Sequence, residues 1–186
     1  MTVIRRVTPD TAATVRMIVE PVLVGDVTLL RIGRSSLSLG YLPAKPAAMV
    51  AFSPDERIDF ASALSDPSMA LLAAYEEEQC IGTALVRADG GGWGDMLDIR
   101  VAATCCRRGV ARSLMEACEA FALRQGAEGL HLAIPDSNPG ACQFAEQCGF
   151  TLQGFDRLAL SLSRSERVKP LAARAVLLHF YRTKKG

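Results

Sequence analysis

The chain has 186 residues, 49% of them apolar, with 21 basic and 20 acidic side chains and a formal net charge of +1. That length suits a single domain, residues 1–186, whose core needs no disulfide staples. So even a charge balance supplies no field to draw in nucleic acid or anionic lipid, and neither nucleic acid nor a membrane is an expected partner.

No apolar run reaches membrane-spanning length. The first twenty residues carry Arg5, Arg6, Asp10, Arg16 and Glu20, a pattern unlike a secretory signal, so the expected location is cytoplasmic. The cysteines at 80, 105, 106, 118, 142 and 148 include no C-x-x-C pair, and His131 and His179 stand at no ligand spacing. No metal is expected, and the thiols read as small apolar packing groups.

In chain order, Val3 to Val7 reads as a strand, Thr8-Pro9-Asp10 as a turn and helix start, and Thr11 to Val19 as a short helix stopped near Pro21. Val27 to Ile32 reads as extended. Residues 33–54, rich in Ser, Gly and Pro, read as a long connection or an irregular helical region. Pro54-Asp55-Glu56 starts a helix through Leu64, and Asp66-Pro67 breaks it. Met69 to Tyr75 and Ile81 to Arg87 flank the polar Glu76-Glu77-Glu78-Gln79 as a hairpin, Asp89-Gly90-Gly91-Gly92 is a second turn, and Trp93 to Val101 is the next strand. From Gly109 to Arg124 the apolar residues Val110, Leu114, Cys118 and Phe121 fall on one helical face, and Gly126 stops the helix. Leu130 to Ile134 is a short strand ending at Pro135. Asp136 to Cys148 is a helix capped by Ser137 or Asn138, with Pro139 in its first turn and Gly149 at its end. Phe150 to Leu162 is extended, Ser163 to Pro170 is a polar loop, and Arg174 to Tyr181 is the last strand. The order predicts a mixed α/β fold with a partly antiparallel sheet.

The most informative stretch is DIRVAATCCRRGVARSL, Asp98 to Leu114. A strand, a short turn of small residues and a helix start aim backbone N–H groups at one point, which is how a phosphate is held. The ligand class this implies is an anion such as a pyrophosphate.

These elements resemble the GNAT superfamily of acyl-CoA N-acetyltransferases, closely over residues 93–160 and loosely over the whole chain. The family's phosphate motif, Q/R-x-x-G-x-G/A, falls on Cys106-Arg107-Arg108-Gly109-Val110-Ala111; Gly109 and Ala111 match, and Cys106 replaces the Gln or Arg. Its second block, N-x-x-A-x-x-F-Y-x-x-x-G-F, matches at Asn138, Ala141, Phe144, Gly149 and Phe150, with Ala145 where the tyrosine stands. Within the superfamily, ACQFAEQCGF followed by Gly154-Phe155-Asp156, and the ending ARAVLLHFY, resemble streptothricin acetyltransferases.

The resemblance implies a mixed sheet of six to seven strands, with antiparallel N-terminal strands and a splayed central parallel pair, flanked by helices. It implies acetyl-CoA as cosubstrate. The pyrophosphate would sit on the turn from Cys106 through Val110 and Ala111, with Arg107, Arg108 or Arg112 adding charge-assisted bonds. The arm of the cofactor would follow the strand at Ile99, Arg100 and Val101. The Val101 N–H would polarise the thioester carbonyl, a role worth on the order of 3 kcal/mol in other enzymes. Asn138 is read both as a helix cap and as a contact to the arm, and Phe144 as packing or as a contact. The activity implied is direct attack by an amine of a small molecule, with no covalent enzyme intermediate.

The attacking amine must be neutral, so a proton acceptor is needed. Asp98 is the favoured base, and its rival reading is a polar partner that ties down Arg100. Asp95 and Asp156 are candidates for holding a cationic substrate. Strict alternation puts Asp95 and Asp98 on opposite faces unless a bulge intervenes. Ala145 has no proton to offer a leaving thiolate, and Cys142 or Cys148 one turn away are weighed as substitutes. His131 and His179 read as structural. Two alternatives stay open: a non-catalytic acyl-CoA-binding protein, and an acetyltransferase of protein lysines or N-termini. A homodimer is compatible with the sequence, which does not decide the oligomeric state.

Overall fold

The computed structural model describes residues 2–16, 18–52, 60–90, 92–159 and 176–183. Among the described residues nine strands and three α-helices follow one another as β1 (Thr2–Arg6), a 3-10 helix (Pro9–Thr14), β2 (Val22–Ile32), β3 (Leu37–Val50), α1 (Ser62–Ser65), β4 (Met69–Glu76), β5 (Gln79–Arg87), β6 (Trp93–Val101), a 3-10 turn (Ala103–Cys105), α2 (Val110–Arg124), β7 (Gly129–Pro135), α3 (Pro139–Gln147), β8 (Thr151–Asp156) and β9 (Leu177–Thr183). The strand order of the mixed sheet is β1-β4-β5-β6-β7-β9-β8, and β2-β3 form a separate two-stranded ribbon. By their contacts the residues divide into two compact units, Met1–Val22 with Ala51–Leu130 and Thr183–Gly186, and Leu23–Val50 with His131–Arg182.

In the first unit β1, β4, β5 and β6 pair antiparallel. One sheet face is covered through a cluster of Val7, Ala63, Leu71, Ala73, Tyr75 and Leu85, joined by Phe60, Leu64 and Leu97. The other face takes α2, which buries Val110, Leu114, Met115, Cys118, Phe121 and Ala122. That stripe recurs every three to four residues, which is why the segment is helical. Glycines set the approach of α2. A Cβ at Gly82 would lie 3.0 Å from a Leu114 methyl and 3.0 Å from the Arg100 carbonyl.

The register of β5 on β6 slips by one between Leu85 and Val86: Leu85 opposes Asp98, and Val86 opposes Met96. Leu97 is the extra residue, a β-bulge. It reverses the alternation, so Asp95, opposite Arg87, and Asp98, opposite Leu85, fall on one face of the sheet.

In the second unit Leu132 and Ile134 of β7, Leu178 and Phe180 of β9, Cys142 and Ala145 of α3, its C-cap Cys148, and Phe150 just before β8 are buried. The Asn138 side chain accepts a hydrogen bond from the Ala141 N–H at 3.1 Å, the capping expected of it, and Gly149 leaves the helix at φ 83°. His131 Nε2 lies 3.0 Å from His179 Nδ1, and His131 stacks on Tyr181 with ring centroids 4.7 Å apart.

Two sequence expectations are corrected. Residues 33–54 are neither a connection nor helical over most of their length: Leu37–Val50 is a fourteen-residue strand. Pro43 and Pro46 hid it, because proline cannot donate to a ladder; a two-stranded ribbon has an outer edge on each strand where that loss is tolerated. Thr11 to Val19 is not an α-helix. The chain makes a 3-10 helix ending at Thr14, closed by the Thr8 N–H donating to Thr11 Oγ1 at 2.9 Å. Of the helix expected from Pro54 to Leu64, residues 54–59 lie outside the described residues, and α1 covers Ser62–Ser65. The loop 163–170 and the start of the last strand at Arg174 also lie outside them.

A Cβ at Gly94 would stand 2.4 Å from the Ala122 Cβ and 3.3 Å from a Leu130 methyl. Gly94→Ala therefore forces α2 off the sheet and is expected to cost about 1–3 kcal/mol, read as a lower urea midpoint at unchanged slope.

Candidate active site

The turn between β6 and α2 is built by backbone conformation. Arg107 adopts φ 62° and Gly109 φ 84°. Gly109 is the N-cap of α2, in the left-handed region, and no side chain caps the helix. The amides of Val110 and Ala111, in the first turn, have no acceptor within the helix. No acidic residue stands in that turn, so nothing there opposes an incoming anion. A Cβ at Gly109 would meet nothing within 4 Å, and the residue's positive φ is what calls for glycine.

Cys106 is exposed with its thiol 3.6 Å from the Ala102 carbonyl. Arg107 and Arg112 are exposed. The Arg108 guanidinium pairs with Glu76 of β4 and approaches the Cys105 thiol at 3.6 Å.

On β6 the main chain sorts itself by edge. The Ala102 N–H donates to the Ile81 carbonyl at 2.9 Å, which makes 102 and 81 a hydrogen-bonded pair of the antiparallel ladder. Alternation then gives Arg100 and Asp98 to β5 and turns the N–H and C=O of Val101 and Ile99 to the opposite edge. The side chains of Ile99 and Val101, opposite Ala84 and Gly82, lie on the α2 face.

Asp98 and Arg100 lie on the other face and hold each other. Arg100 Nε donates to both Asp98 oxygens at 3.0 and 2.8 Å, and the two side chains are only 13% and 12% exposed. The same guanidinium reaches the carbonyls of Ile18 at 3.2 Å and Phe52 at 2.7 Å. The partner reading of Asp98 is thus what the geometry displays. Burial pushes its carboxyl above the usual range, and the Arg100 hydrogen bond and charge oppose that. Asp95 pairs with Arg87 at 2.9 Å on the surface.

In the second unit Asn138 and Phe144 are half-buried on α3. Ala145 is fully buried, and Cys142 and Cys148 pack in the core. The Cys142 thiol is pushed up to about 12, first by burial and then by the charges of Glu146 and Asp136, so it stays neutral. Asp156 is exposed, and its carboxylate accepts the N–H groups of Leu158 and Ala159 at 2.6 and 3.0 Å, closing a turn. Sequence reasoning missed Asp26, Thr28 and Tyr41 on the ribbon. Asp26 bonds Gln143 at 3.4 Å, and Tyr41 bonds Glu146 at 2.7 Å, both on α3. Their only sequence signal was the alternation of Leu37, Leu39 and Tyr41, which the prolines obscured. Among the described residues no helix is long and apolar enough to cross a membrane, and no group of three or more His, Cys, Asp or Glu could hold a metal ion.

The model of the acetyltransferase (GNAT) family matches residues 40–150, more than half of the chain. The chain belongs to the GNAT acetyltransferase family. A streptothricin acetyltransferase of Escherichia coli is 32% identical over 95 residues, which are 50% of this chain and 53% of that protein; the match spans about half the length of that relative. Among solved structures, one attributed to a streptothricin acetyltransferase from Bacillus anthracis str. Ames, in complex with acetyl coenzyme A, superposes with a TM-score of 0.81 at 19% identity, covering 100% of this chain and 98% of that one. A nourseothricin acetyltransferase superposes with a TM-score of 0.76 at 22% identity, covering 99% of each chain. These likenesses show the fold expected from the sequence, a mixed seven-stranded sheet flanked by helices.

Removing Arg100 strands a buried carboxylate. Arg100→Leu is expected to cost about 3–5 kcal/mol. Without its partner the Asp98 pKa rises further above its unfolded value, so stability is greatest at low pH and is lost as pH rises through the folded pKa. Urea titrations should show a smaller defect at pH 5 than at pH 8.

Proposed function

We propose that this GNAT family member is an acetyl-CoA-dependent N-acetyltransferase whose acceptor is an amine of a small molecule. The observation that carries the reading is the turn at 106–112: a helix start with left-handed Gly109, no side-chain cap, no first-turn carboxylate, and exposed Arg107 and Arg112. This is the chemistry a pyrophosphate needs, and it sits where the family places one. The likeness to streptothricin acetyltransferases over half the chain supports a small-molecule acceptor over a protein lysine or N-terminus.

Each residue then has a task. The amides from Arg107 to Ala111 hold the diphosphate, with Arg107 and Arg112 adding charge. Arg108 braces the turn through Glu76 rather than reaching for the ligand. The outward-turned groups of Ile99 and Val101 pair with the amides of the cofactor arm, and the Val101 N–H donates to the carbonyl under attack. Arg100 serves through its main chain and through its grip on Asp98. Acetyl-CoA supplies a thioester whose acetyl group passes to the amine in the ternary complex.

Proton removal from the amine is assigned to Asp98, directly or through water. Burial raises its affinity for a proton, and Arg100 keeps enough charge on it to accept one. At position 145 the chain has no donor, and it needs none, because an ordinary thiol pKa of about 8.5 leaves reprotonation to water.

Gly109→Asp adds charge and bulk beside the phosphates and is expected to weaken acetyl-CoA binding by at least about tenfold in calorimetry, or roughly 1.4 kcal/mol; unchanged affinity removes the turn from the cofactor site. Asp98→Asn is expected to lower kcat by about a hundredfold while acetyl-CoA affinity is kept; turnover equal to the parent across pH removes Asp98 as the base.

A further inference from the structure

Residues 15, 16 and 18–21, between the 3-10 helix and β2, belong to no helix or strand. Three bonds stake this stretch to the sheet all the same. The Thr14 hydroxyl lies 2.9 Å from the hydroxyl of Tyr75, which is buried on β4. The Ile18 carbonyl accepts from Arg100 Nη1 at 3.2 Å. The Glu20 carboxylate accepts the Ala103 N–H through Oε2 at 2.7 Å. On β5, Cys80 opposes Tyr75 and Gly82 opposes Val101, so β4 and β6 finish at the same end of the sheet. Tyr75 clusters with Leu85, and Leu85 opposes Asp98, which puts Tyr75 and Arg100 on one face. The stretch therefore crosses the end of the sheet from β4 to β6, on the face away from α2.

That end carries the turn at 106–112. The far side of the turn is held by α2 through its buried stripe. Glu76, next to Tyr75 on β4, holds Arg108. The leading side, Ala103–Cys105, lies beyond the ladder bond that Ala102 makes to Ile81. The N–H groups that open a helical turn have no acceptor inside it. Ala102, at the N-cap, makes no side-chain bond to them. Glu20 supplies that bond from 83 residues away. A carboxylate on a backbone N–H is a charge-assisted hydrogen bond, stronger than a neutral one. Together with the Arg100 bond to Ile18, it pins the stretch on both sides of Val101 and Ala102.

We propose that Glu20 is a positioning residue of the cofactor turn: a cap supplied from a distant stretch, which fixes where the amides from Arg107 to Ala111 stand. The inference rests on the acetyltransferase reading and adds a residue to its site. Two physical effects of Glu20 on the cofactor have opposite signs. Acetyl-CoA brings phosphate charge to the turn, and a carboxylate nearby repels it. Charge alone therefore makes the cofactor bind more tightly once Glu20 is lost. Loss of a cap does the reverse, since amides free to shift no longer converge on one diphosphate.

The test is calorimetric, on the full chain, with acetyl-CoA as the probe. Glu20→Ala removes cap and charge together and is expected to weaken binding at least about fivefold. Glu20→Gln removes the charge but keeps a side-chain oxygen to accept the Ala103 N–H, and is expected to bind at least as tightly as the parent. In about 0.5 M NaCl, where charges are screened beyond a few ångströms, the Glu20→Ala deficit relative to the parent is expected to persist. Glu20 is exposed, so urea titrations are expected to show both variants folded under the conditions of the binding measurement. Binding by Glu20→Ala equal to or tighter than the parent's overturns the positioning role, and so does a Glu20→Gln as weak as Glu20→Ala. An unfolded Glu20→Ala overturns it too, since Glu20 then serves the fold and not the turn. These outcomes leave the acetyltransferase reading standing, because the parent still binds. A parent that fails to bind acetyl-CoA overturns that reading and the inference with it.

Discussion

The bulge at Leu97 is the constraint on which the first unit depends. One extra residue in β6 reverses the alternation of every side chain beyond it. Without it, Asp98 would face α2 among Leu114 and Val110, where a carboxylate has no partner. With it, Asp98 and Arg100 share the other face and close an ion pair, one Nε–H forked to both carboxylate oxygens, and the same guanidinium ties down the chain at Ile18 and Phe52. The same shift decides which main-chain groups β5 consumes and which turn to the far edge. Side-chain electrostatics and backbone availability on this strand are two results of one insertion.

The turn at 106–112 follows from where that strand ends. Ala102 makes the last bond to β5, a short 3-10 turn reverses the chain, and Gly109 enters the left-handed region to start α2. The helix is held on the sheet by its buried stripe and by the glycines beneath it. Its open end is therefore fixed by the core rather than by a cap. On the proposed reading the grip on an anion resides in main-chain N–H groups, which accommodates Cys106 where the family motif carries Gln or Arg.

In the second unit α3 is capped at one end and meets the ribbon along its length. Asn138 spends its side-chain oxygen on the Ala141 amide and keeps the donors of its NH2 group. One turn further on, the helix shows Cys142, Gln143 and Glu146 to the polar face of the ribbon, while Ala145 packs into the core. A tyrosine at 145 would have to displace that core, so its replacement by alanine is a packing fact as well as a chemical one.

What the amino-acid order determined by itself is the periodic and the punctuated: the hairpin β4–β5, strand β6 to the residue, α2 with its buried stripe and its glycine stops, α3 with its Asn138 cap, and the motif at 106–111. These are local, because a helical stripe, a capping side chain and a positive-φ glycine act over a few residues. The family likeness could be read from them for the same reason. The tertiary structure decided the rest. A bulge has no signature in β6 alone, since the extra residue exists only relative to the register of β5. The prolines of β3 argue against a strand until it is seen to lie in a ribbon with an edge to spare. Asp26, Thr28 and Tyr41 are unremarkable in sequence and acquire meaning only when a strand turns its polar face to a helix more than a hundred residues away, because burial and pairing are properties of that contact and of neither segment alone.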